Sequence, residues 1–172
     1  MRIIVSDTSC LIDLRHAGLL GAFLELPYEF VIPDVIFHDE LLSFSRKEKA
    51  LIRRRMTIAS LGAEGVERVN EVLALSPSLS TYDGFAFVVA EERPDSILLT
   101  GDRRLRSLAQ TERIEVHGVL WVLDQLAVHR KARRKVRLAA LEAWRDNPAS
   151  RLPRARLGRM IAELTRGRKK RG

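Results

Sequence analysis

The chain is poor in cysteine and has no long apolar run. Cys10 is the only thiol among 172 residues, so no internal disulfide can form, and we expect a protein of the reducing cytoplasm. Its surroundings in SCLID indicate a small core residue and not a reactive thiol. No apolar run approaches the ~20 residues that a membrane helix needs, and the start, MRIIVSD, lacks a signal-peptide core. We therefore expect no membrane-spanning segment and no disulfide-stabilised fold.

Two common ligand-binding motifs are missing as well. The four histidines are isolated in the sequence, so none has the spacing of a zinc site; they are His16, His38, His117 and His129. Neither G-x-G-x-x-G nor G-x-x-x-x-G-K-[ST] occurs, which disfavours a nucleotide-binding fold. Zinc chemistry and nucleotide binding are thus weak hypotheses for this chain.

Positive charge is concentrated toward the C-terminal end. Residues 130–172 contain 16 Lys and Arg against 3 Asp and Glu, whereas residues 1–129 contain 14 against 19. An acidic body thus precedes a basic segment, which favours an anionic partner such as nucleic acid. The alternative interpretation is a solvated pair of helices that are simply rich in arginine.

Short apolar runs alternate with helical patterns along the first 129 residues. Five runs predict strands, the third of them weakly: Ile3–Val5, Phe30–Ile32, Ile58–Leu61, Ile97–Leu99 and Ile114–Val116. Helical patterns occur at Leu11–Leu24, from Pro33 through Leu41, at Val66–Leu73, at 76–92, at Arg103–Gln110 and at Val119–Val128. Runs that are apolar at every position are typical of parallel strands covered on both faces. The alternation predicts an α/β fold, a three-layer α/β/α sandwich with a mostly parallel sheet of four or five strands.

Beyond residue 130 the pattern is helical. Lys131–Asp146 and Leu152–Leu164 are predicted helices, and the second has apolar residues at spacings of three and four. We therefore divide the chain into a globular domain, a basic helical extension and a basic tail predicted to be disordered, over residues 1–129, 130–166 and 167–172.

Acidic residues occupy positions that would bring them to one edge of such a sheet. The first and fourth strands lead directly to carboxylates, in IIVSD at Asp7 and in ILLTGD at Asp102. In an open parallel sheet, ligands bind beyond the carboxyl ends of the strands. LSTYDG places Asp83 in the first turn of a helix, and PDVIFHDELL places Asp39 and Glu40 within another. Each acid alone would more simply be a helix cap or a solvated residue, and their common placement is what suggests a site.

A cluster of this kind predicts a divalent-metal hydrolase. Neighbouring carboxylates repel one another, so we expect a cation among them, and Mg²⁺ and Mn²⁺ prefer oxygen ligands. A carboxylate site without a nucleophile of its own suits hydrolysis of a phosphodiester by water. Phosphatases of the haloacid dehalogenase type also have an aspartate after their first strand, but their D-x-D is interrupted here by Ser9.

At these residues the sequence resembles the PIN-domain family of metal-dependent ribonucleases. The similarity covers nearly all of residues 2–129 and comprises four motifs in order: D-T-S at Asp7, P-D-V…E-L-L at 33–42, L-S-x-Y-D at 79–83 and L-L-T-G-D-x-x-L-R at 98–106. IEVHGVLWVLDQL resembles the last strand and helix of a bacterial and archaeal subgroup. In that subgroup a helical pair with R-L-P, here at 151–153, extends the domain.

The resemblance implies an endoribonuclease that leaves 3′-hydroxyl and 5′-phosphate ends. It implies a Mg²⁺ or Mn²⁺ site whose ligands are the four acids Asp7, Glu40, Asp83 and Asp102, with Asp39 as the alternative to Glu40. Three hydroxyls would orient these acids or satisfy helix N–H groups: Thr8, Ser9 and Thr100. Two arginines, Arg103 and Arg104, are candidate contacts for the RNA backbone, and a solvated helix face is the alternative that is favoured for Arg106.

The resemblance also implies partners. Many similar proteins are toxins of the VapC type that a small antitoxin protein holds inactive, others act in RNA processing, and homodimers are common among them. The sequence of one chain leaves these roles open. The basic segment at 130–172 would hold an RNA substrate electrostatically, with a marked dependence on salt.

Three departures from the family pattern stand in the motifs. Gly84 replaces a usual alanine and weakens its helix by about 1 kcal/mol, and Ser9 replaces a more common asparagine. Arg103 and Arg104 stand where a fifth acid sometimes occurs, which weakens a second metal site. These departures leave open an alternative function, a PIN-like module that binds a partner and is catalytically weak.

Overall fold

A parallel sheet of five strands forms the centre of the computed structural model, which describes residues 2–166. The strands lie in the order β3-β2-β1-β4-β5, and their bounds are β1 Ile3–Ser6, β2 Glu29–Pro33, β3 Met56–Ala59, β4 Ile97–Leu99 and β5 Glu115–His117. Helices cover both sides of the sheet. The prediction of an α/β/α sandwich is confirmed.

Nine α-helices occur among residues 2–166. Their bounds are α1 Thr8–His16, α2 Leu20–Phe23, α3 Arg46–Arg55, α4 Ala63–Leu75, α5 Thr81–Glu91, α6 Arg103–Thr111, α7 Val119–Val128, α8 Arg134–Asp146 and α9 Arg154–Arg166. Within this part of the chain no helix is both long and apolar enough to cross a bilayer. The predicted disorder of 167–172 falls outside the described residues.

The order of the strands places the ends of β1 and β4 side by side. From β1 the chain winds outward through β2 and β3, and it then returns to the other side of β1 with β4 and β5. Ser6 is paired with Leu99, and the backbone N–H of Asp7 donates to the Leu99 carbonyl at 3.0 Å. Such a reversal of winding opens a crevice at the carboxyl ends of the two strands. The fold therefore brings the residues after Ser6 and Leu99 together.

The helix predicted for Leu11–Leu24 is interrupted in the structure. Helix α1 ends at His16, and Gly18 adopts a φ of 67° that favours glycine. The N–H of Leu19 then donates to the Leu14 carbonyl at 2.8 Å and that of Gly18 to the Arg15 carbonyl at 3.0 Å, which is a Schellman motif. Both leucines are fully buried, so the turn is fixed by apolar contact as well as by the glycine.

The segment after β2 differs from the regular helix predicted from Pro33. Pro33 is the last residue of β2, and a π-helical turn over Ile36–Glu40 is followed by a 3-10 turn over Leu41–Ser43. Ile36 and Leu41, five residues apart, are both fully buried. A wider turn, in which such residues come one above the other, satisfies this burial.

Helix α3 is a helix that the sequence analysis missed. Its first turn carries a capping box, in which the Ser45 hydroxyl accepts from the Glu48 N–H at 3.2 Å and the Glu48 carboxylate accepts from the Ser45 N–H at 2.7 Å. The pattern S-x-x-E signals such a start. The helix was missed because its remaining residues are mostly Lys and Arg and show little apolar periodicity.

The chain divides into two compact units. The first contains Met1–Leu11 and Pro27–Val119, with all five strands and α3 to α6; the second contains Ile12–Leu26 and Leu120–Gly172. In the second unit the indole N–H of Trp144 on α8 donates to the Asp13 carbonyl on α1 at 2.9 Å. The second unit therefore includes an early segment of the sequence besides the basic helices.

Candidate metal centre

Asp7 is a buried carboxylate at the end of the central strand β1. Its side chain caps α1, since Oδ1 accepts from the Cys10 N–H at 3.2 Å. The Ser9 hydroxyl lies 2.9 Å from Oδ1 and 3.0 Å from Oδ2, and the Thr100 hydroxyl donates to Oδ2. Asp7 is only 5% exposed. The DTS motif thus both begins a helix and fixes an acid at the mouth of the crevice.

Burial is the largest influence on the pKa of the Asp7 carboxyl group. Loss of hydration raises the pKa of Asp7 to about 6, against the hydrogen bonds from Thr100, Cys10 and Ser9 that lower it. The negative charge of Asp83 raises the pKa further. Of these contributions the charge of Asp83 is the smallest.

Thr100 connects Asp7 to the second strand-end acid. The Thr100 hydroxyl donates to Asp7 and accepts from the Asp102 N–H at 3.0 Å. Thr100 is fully buried. One hydroxyl therefore links the two motifs, D-T-S and T-G-D.

Ser9 makes a second connection between the same two loops. Its hydroxyl accepts from the Gly101 N–H at 3.0 Å while donating to Asp7. A Cβ atom at position 101 would lie 3.0 Å from the Ser9 oxygen, so a larger residue there would push the Ser9 hydroxyl aside by a few tenths of an ångström. The sequence analysis did not single out Gly101. A glycine between a threonine that ends a buried strand and an acid is nevertheless a signal that two backbone segments approach closely.

Asp102 is the N-cap of α6. Its Oδ1 accepts from the Arg104 N–H at 2.7 Å and from the Leu105 N–H at 3.1 Å. Partial burial raises the pKa of this carboxyl, but the two N–H groups and the Arg104 guanidinium outweigh burial and lower it overall. Asp102 therefore stays charged to a lower pH than Asp7 does.

Glu40 reaches the same edge from the π-helical turn. It accepts a hydrogen bond from the hydroxyl of Thr8, the residue that follows Asp7. Glu40 is partly exposed, whereas Asp39 is exposed to solvent. The structure thus joins Glu40, and not Asp39, to the D-T-S motif.

Asp83 lies in the capping box that begins α5. Its Oδ2 accepts from the Ser80 N–H at 2.8 Å and from the Ser80 hydroxyl at 2.7 Å. The next residue, Gly84, packs closely on α4, because a Cβ there would lie 3.1 Å from Val69. Gly84 therefore serves the packing of α5 against α4.

Across residues 2–166, no three His, Cys, Asp or Glu side chains lie together as a metal-binding group. Each of the four predicted acids is held by nearby donors: Asp7 by Ser9 and Thr100, Glu40 by Thr8, Asp83 by Ser80 and Asp102 by the start of α6. Their oxygen chemistry suits a hard divalent cation.

The three arginines after Asp102 have different environments. Arg103 and Arg104 are exposed, and an Arg104 nitrogen lies 3.5 Å from the Asp102 carboxylate. Arg106 donates instead to the Thr100 carbonyl at 3.0 Å and to the Val116 carbonyl at 3.2 Å. Arg106 therefore holds the loop behind the candidate site, a role that the sequence analysis missed.

Comparison with known families gives a match over most of the chain. A family model described as a PIN domain matches residues 3–165. The match includes the four acids, helix α8 and all but the last residue of helix α9. No curated protein matches the chain at a significant level.

Proposed function

The chain belongs to the PIN-domain family, and from that premise we propose that it is a Mg²⁺- or Mn²⁺-dependent endoribonuclease. PIN domains are in general nucleases, bind nucleic acid and use divalent metals. The observation that carries the proposal is the buried chain of hydrogen bonds from Asp7 through Thr100 to Asp102. These hydrogen bonds support the proposal because they join two carboxylates near the switch point of a parallel sheet, where ligands bind.

We assign Asp7, Glu40, Asp83 and Asp102 as the residues that would hold the metal. A divalent ion supplies charge for the developing phosphate oxyanion and lowers the pKa of water. Buried Asp7, whose pKa is raised to about 6, gains most from a cation, since positive charge offsets its lost hydration. Because no three acids lie together among residues 2–166, the proposal requires at least one carboxylate to turn toward Asp7 on binding.

The neighbouring residues have positioning roles in this proposal. Ser9 and Thr100 hold the Asp7 carboxylate at both oxygens, and Thr8 holds Glu40. The exposed Arg103 and Arg104 would contact the RNA backbone and neutralise phosphate charge. Attack by water on an RNA phosphate would leave 3′-hydroxyl and 5′-phosphate ends.

Cleavage of RNA tests the proposal directly. Purified protein is incubated with a labelled RNA pool in Mg²⁺, in Mn²⁺ and in EDTA, beside the double variant Asp7→Asn/Asp102→Asn. The matched control, Glu64→Gln/Glu67→Gln, removes two exposed acids of α4. We expect metal-dependent cutting by wild type and control, and at least ~100-fold slower cutting by the double variant, given the several kcal/mol that metal stabilisation supplies. Equal cutting by the double variant, or cutting in EDTA, would overturn the assignment.

A binding module without nuclease activity is the second candidate function. Two observations favour it: Arg103 and Arg104 occupy the place of a fifth acid, and no three acids lie together in residues 2–166. RNA binding without cleavage in any metal would support this candidate.

The biological role is proposed from the resemblance alone. A toxin held by a small antitoxin, a homodimer and a cytoplasmic location stay predictions. Growth arrest on expression of the wild type, and not of Asp7→Asn/Asp102→Asn, would support the toxin role.

A further inference from the structure

A groove in the second compact unit collects three arginines. It has a volume of about 330 Å³ and is lined by α7, α8 and α9. Arg156, Arg159 and Glu163 recur at spacings of three and four on one face of α9. Arg137 of α8 and Asp124 of α7 complete its charged lining. None of these residues belongs to the candidate metal centre.

The two carboxylates do not neutralise the three guanidinium groups. The closest pair, Arg156 Nη2 and Asp124 Oδ2, is 3.9 Å apart, and both side chains are about half exposed (48% and 55%). An ion pair that is long and exposed is weak. The groove therefore keeps a positive excess at neutral pH.

Arg137 points to a missing acceptor. Its Nε is fully buried and has no hydrogen-bond partner among the described residues. A buried donor on a charged group is costly when it is unpaired. Arg137 lines the groove, and an anion oxygen that accepts from its guanidinium would offset this cost.

We propose that this groove binds a backbone phosphate of single-stranded RNA. The planar guanidinium presents donors that match phosphate oxygens in pairs. Exposed Arg154 and Arg166 continue the positive charge along α9, so a long polyanion gains more contacts than one short acidic group. The apolar Met160 and Leu164 on the groove wall suit the sugars that flank a phosphate. The choice of RNA rests on the proposed function.

The binding experiment uses the full chain in EDTA, so that cleavage plays no part. Fluorescence anisotropy with a labelled 20-nucleotide single-stranded RNA compares wild type with Arg156→Gln/Arg159→Gln. The control, Arg133→Gln/Arg151→Gln, removes the same charge from exposed positions outside the groove. We expect the groove variant to bind about 10-fold more weakly and its log–log salt slope to fall by about 1.4, near 0.7 for each lost phosphate contact. The control should stay within about 2-fold of wild type. Equal losses in both variants would show that charge alone matters and would overturn the site.

Neutralising the two groove carboxylates should change RNA affinity in the opposite direction. This second test remains informative even if the arginine variant unfolds. Asp124→Asn/Glu163→Gln should bind the RNA about 3-fold to 10-fold more tightly, since two like charges no longer face the phosphate. Glu142→Gln/Asp146→Asn, which changes two acids outside the groove, serves as control. No gain beyond that control, or displacement of RNA by an acidic peptide at equal charge concentration, would refute phosphate recognition.

The outcome separates this proposal from the nuclease assignment. Because the groove and the candidate metal centre share no residue, the loss of affinity in Arg156→Gln/Arg159→Gln relative to its control should be the same with and without Asp7→Asn/Asp102→Asn. If the protein binds RNA through the groove but cleaves no RNA in any metal, the nuclease assignment is wrong and the groove proposal stands. If the protein cleaves RNA but the groove variants bind it as tightly as wild type, the groove proposal is wrong and the nuclease assignment stands.

Discussion

At the scale of single residues, Asp7 combines two roles that are usually separate. It caps a helix through the Cys10 N–H, and it is the buried acid of the candidate metal centre. Asp102 caps α6 in the same way. A cap explains either residue alone, but it does not explain why Thr100 bonds to Asp7, 93 positions away, as well as to Asp102.

The two caps predict opposite effects of charge removal on stability. The pKa of Asp7 is raised from 3.8 to about 6, so the folded state binds more protons than the unfolded chain between these values, and stability falls as the pH rises through that window. Asp7→Asn should therefore raise the free energy of unfolding at pH 7.5 by roughly 1 to 3 kcal/mol in EDTA, and by less at pH 4.5.

Asp102→Asn is the matched comparison. Its pKa is lowered in the folded state, so its charge contributes stability above the unfolded pKa that is lost as the pH falls through the folded one. This variant should be destabilised at pH 7.5. Urea titrations at the two pH values measure both effects, and a loss of stability for Asp7→Asn at pH 7.5 would contradict the burial argument.

The neighbouring acids Glu40 and Asp39 give a second prediction at this scale. Glu40 meets Thr8 beside Asp7, whereas Asp39 is exposed. Glu40→Gln should lower the rate of RNA cleavage by at least ~30-fold, about 2 kcal/mol of transition-state stabilisation, and Asp39→Asn by less than about 3-fold. Initial rates of RNA cleavage in Mg²⁺ measure both effects. A larger loss of rate for Asp39→Asn than for Glu40→Gln would identify Asp39 as the metal ligand.

At the scale of elements, local irregularities decide where side chains point. The π-helical turn brings Glu40 to Thr8, and the Schellman motif after α1 buries Leu19. Gly84 lets α5 approach α4, and α5 begins with Asp83. The π-helical turn thus positions an acid of the candidate site, and the Schellman motif and Gly84 position residues of the core.

Gly18 and Gly21, which both have space for a methyl group, allow a comparison of backbone strain with helix propensity. A Cβ added at Gly18 or at Gly21 would meet no atom within 4 Å, but only Gly18 has a positive φ, 67°. Gly18→Ala should lower stability by about 1 kcal/mol through backbone strain, whereas Gly21→Ala, within α2, should raise it by roughly 0.5 to 1 kcal/mol. Thermal unfolding measures both, and equal shifts would refute the assigned C-cap.

At the scale of the whole molecule, the two compact units are not continuous stretches of the sequence. The predicted boundary at residue 129 falls inside the second unit, which joins Ile12–Leu26 with Leu120–Gly172. Trp144 and Leu157 of that unit are each only 1% exposed. The basic helices thus contain part of the apolar core and are more than a solvated extension.

Truncation after residue 129 tests this view. The shortened chain lacks Trp144 and leaves the Asp13 carbonyl without the indole donor. We expect loss of a cooperative thermal transition, whereas Trp144→Phe, which keeps most of the volume, should cost about 1 to 2 kcal/mol. A cooperative transition in the truncated chain, at the wild-type temperature, would show that residues 1–129 fold alone.

The sequence by itself determined the sheet and the positions of the acids along the chain. Apolar runs such as Ile97–Leu99 identify buried parallel strands because burial on both faces demands them locally. Asp7 and Asp102 follow two such runs directly, so their common edge could be deduced from winding rules. Helix α3 was missed because its few apolar residues leave no periodic stripe.

Only the tertiary structure decided which side chains meet. The contacts of Thr100 with Asp7 and of Gly101 with Ser9 span 93 and 92 positions, and those of Arg106 fall on carbonyl oxygens that no side-chain pattern announces. The groove of Arg137, Arg156 and Arg159 likewise forms from three helices. Such contacts depend on how elements pack, which side-chain periodicity within one element does not encode.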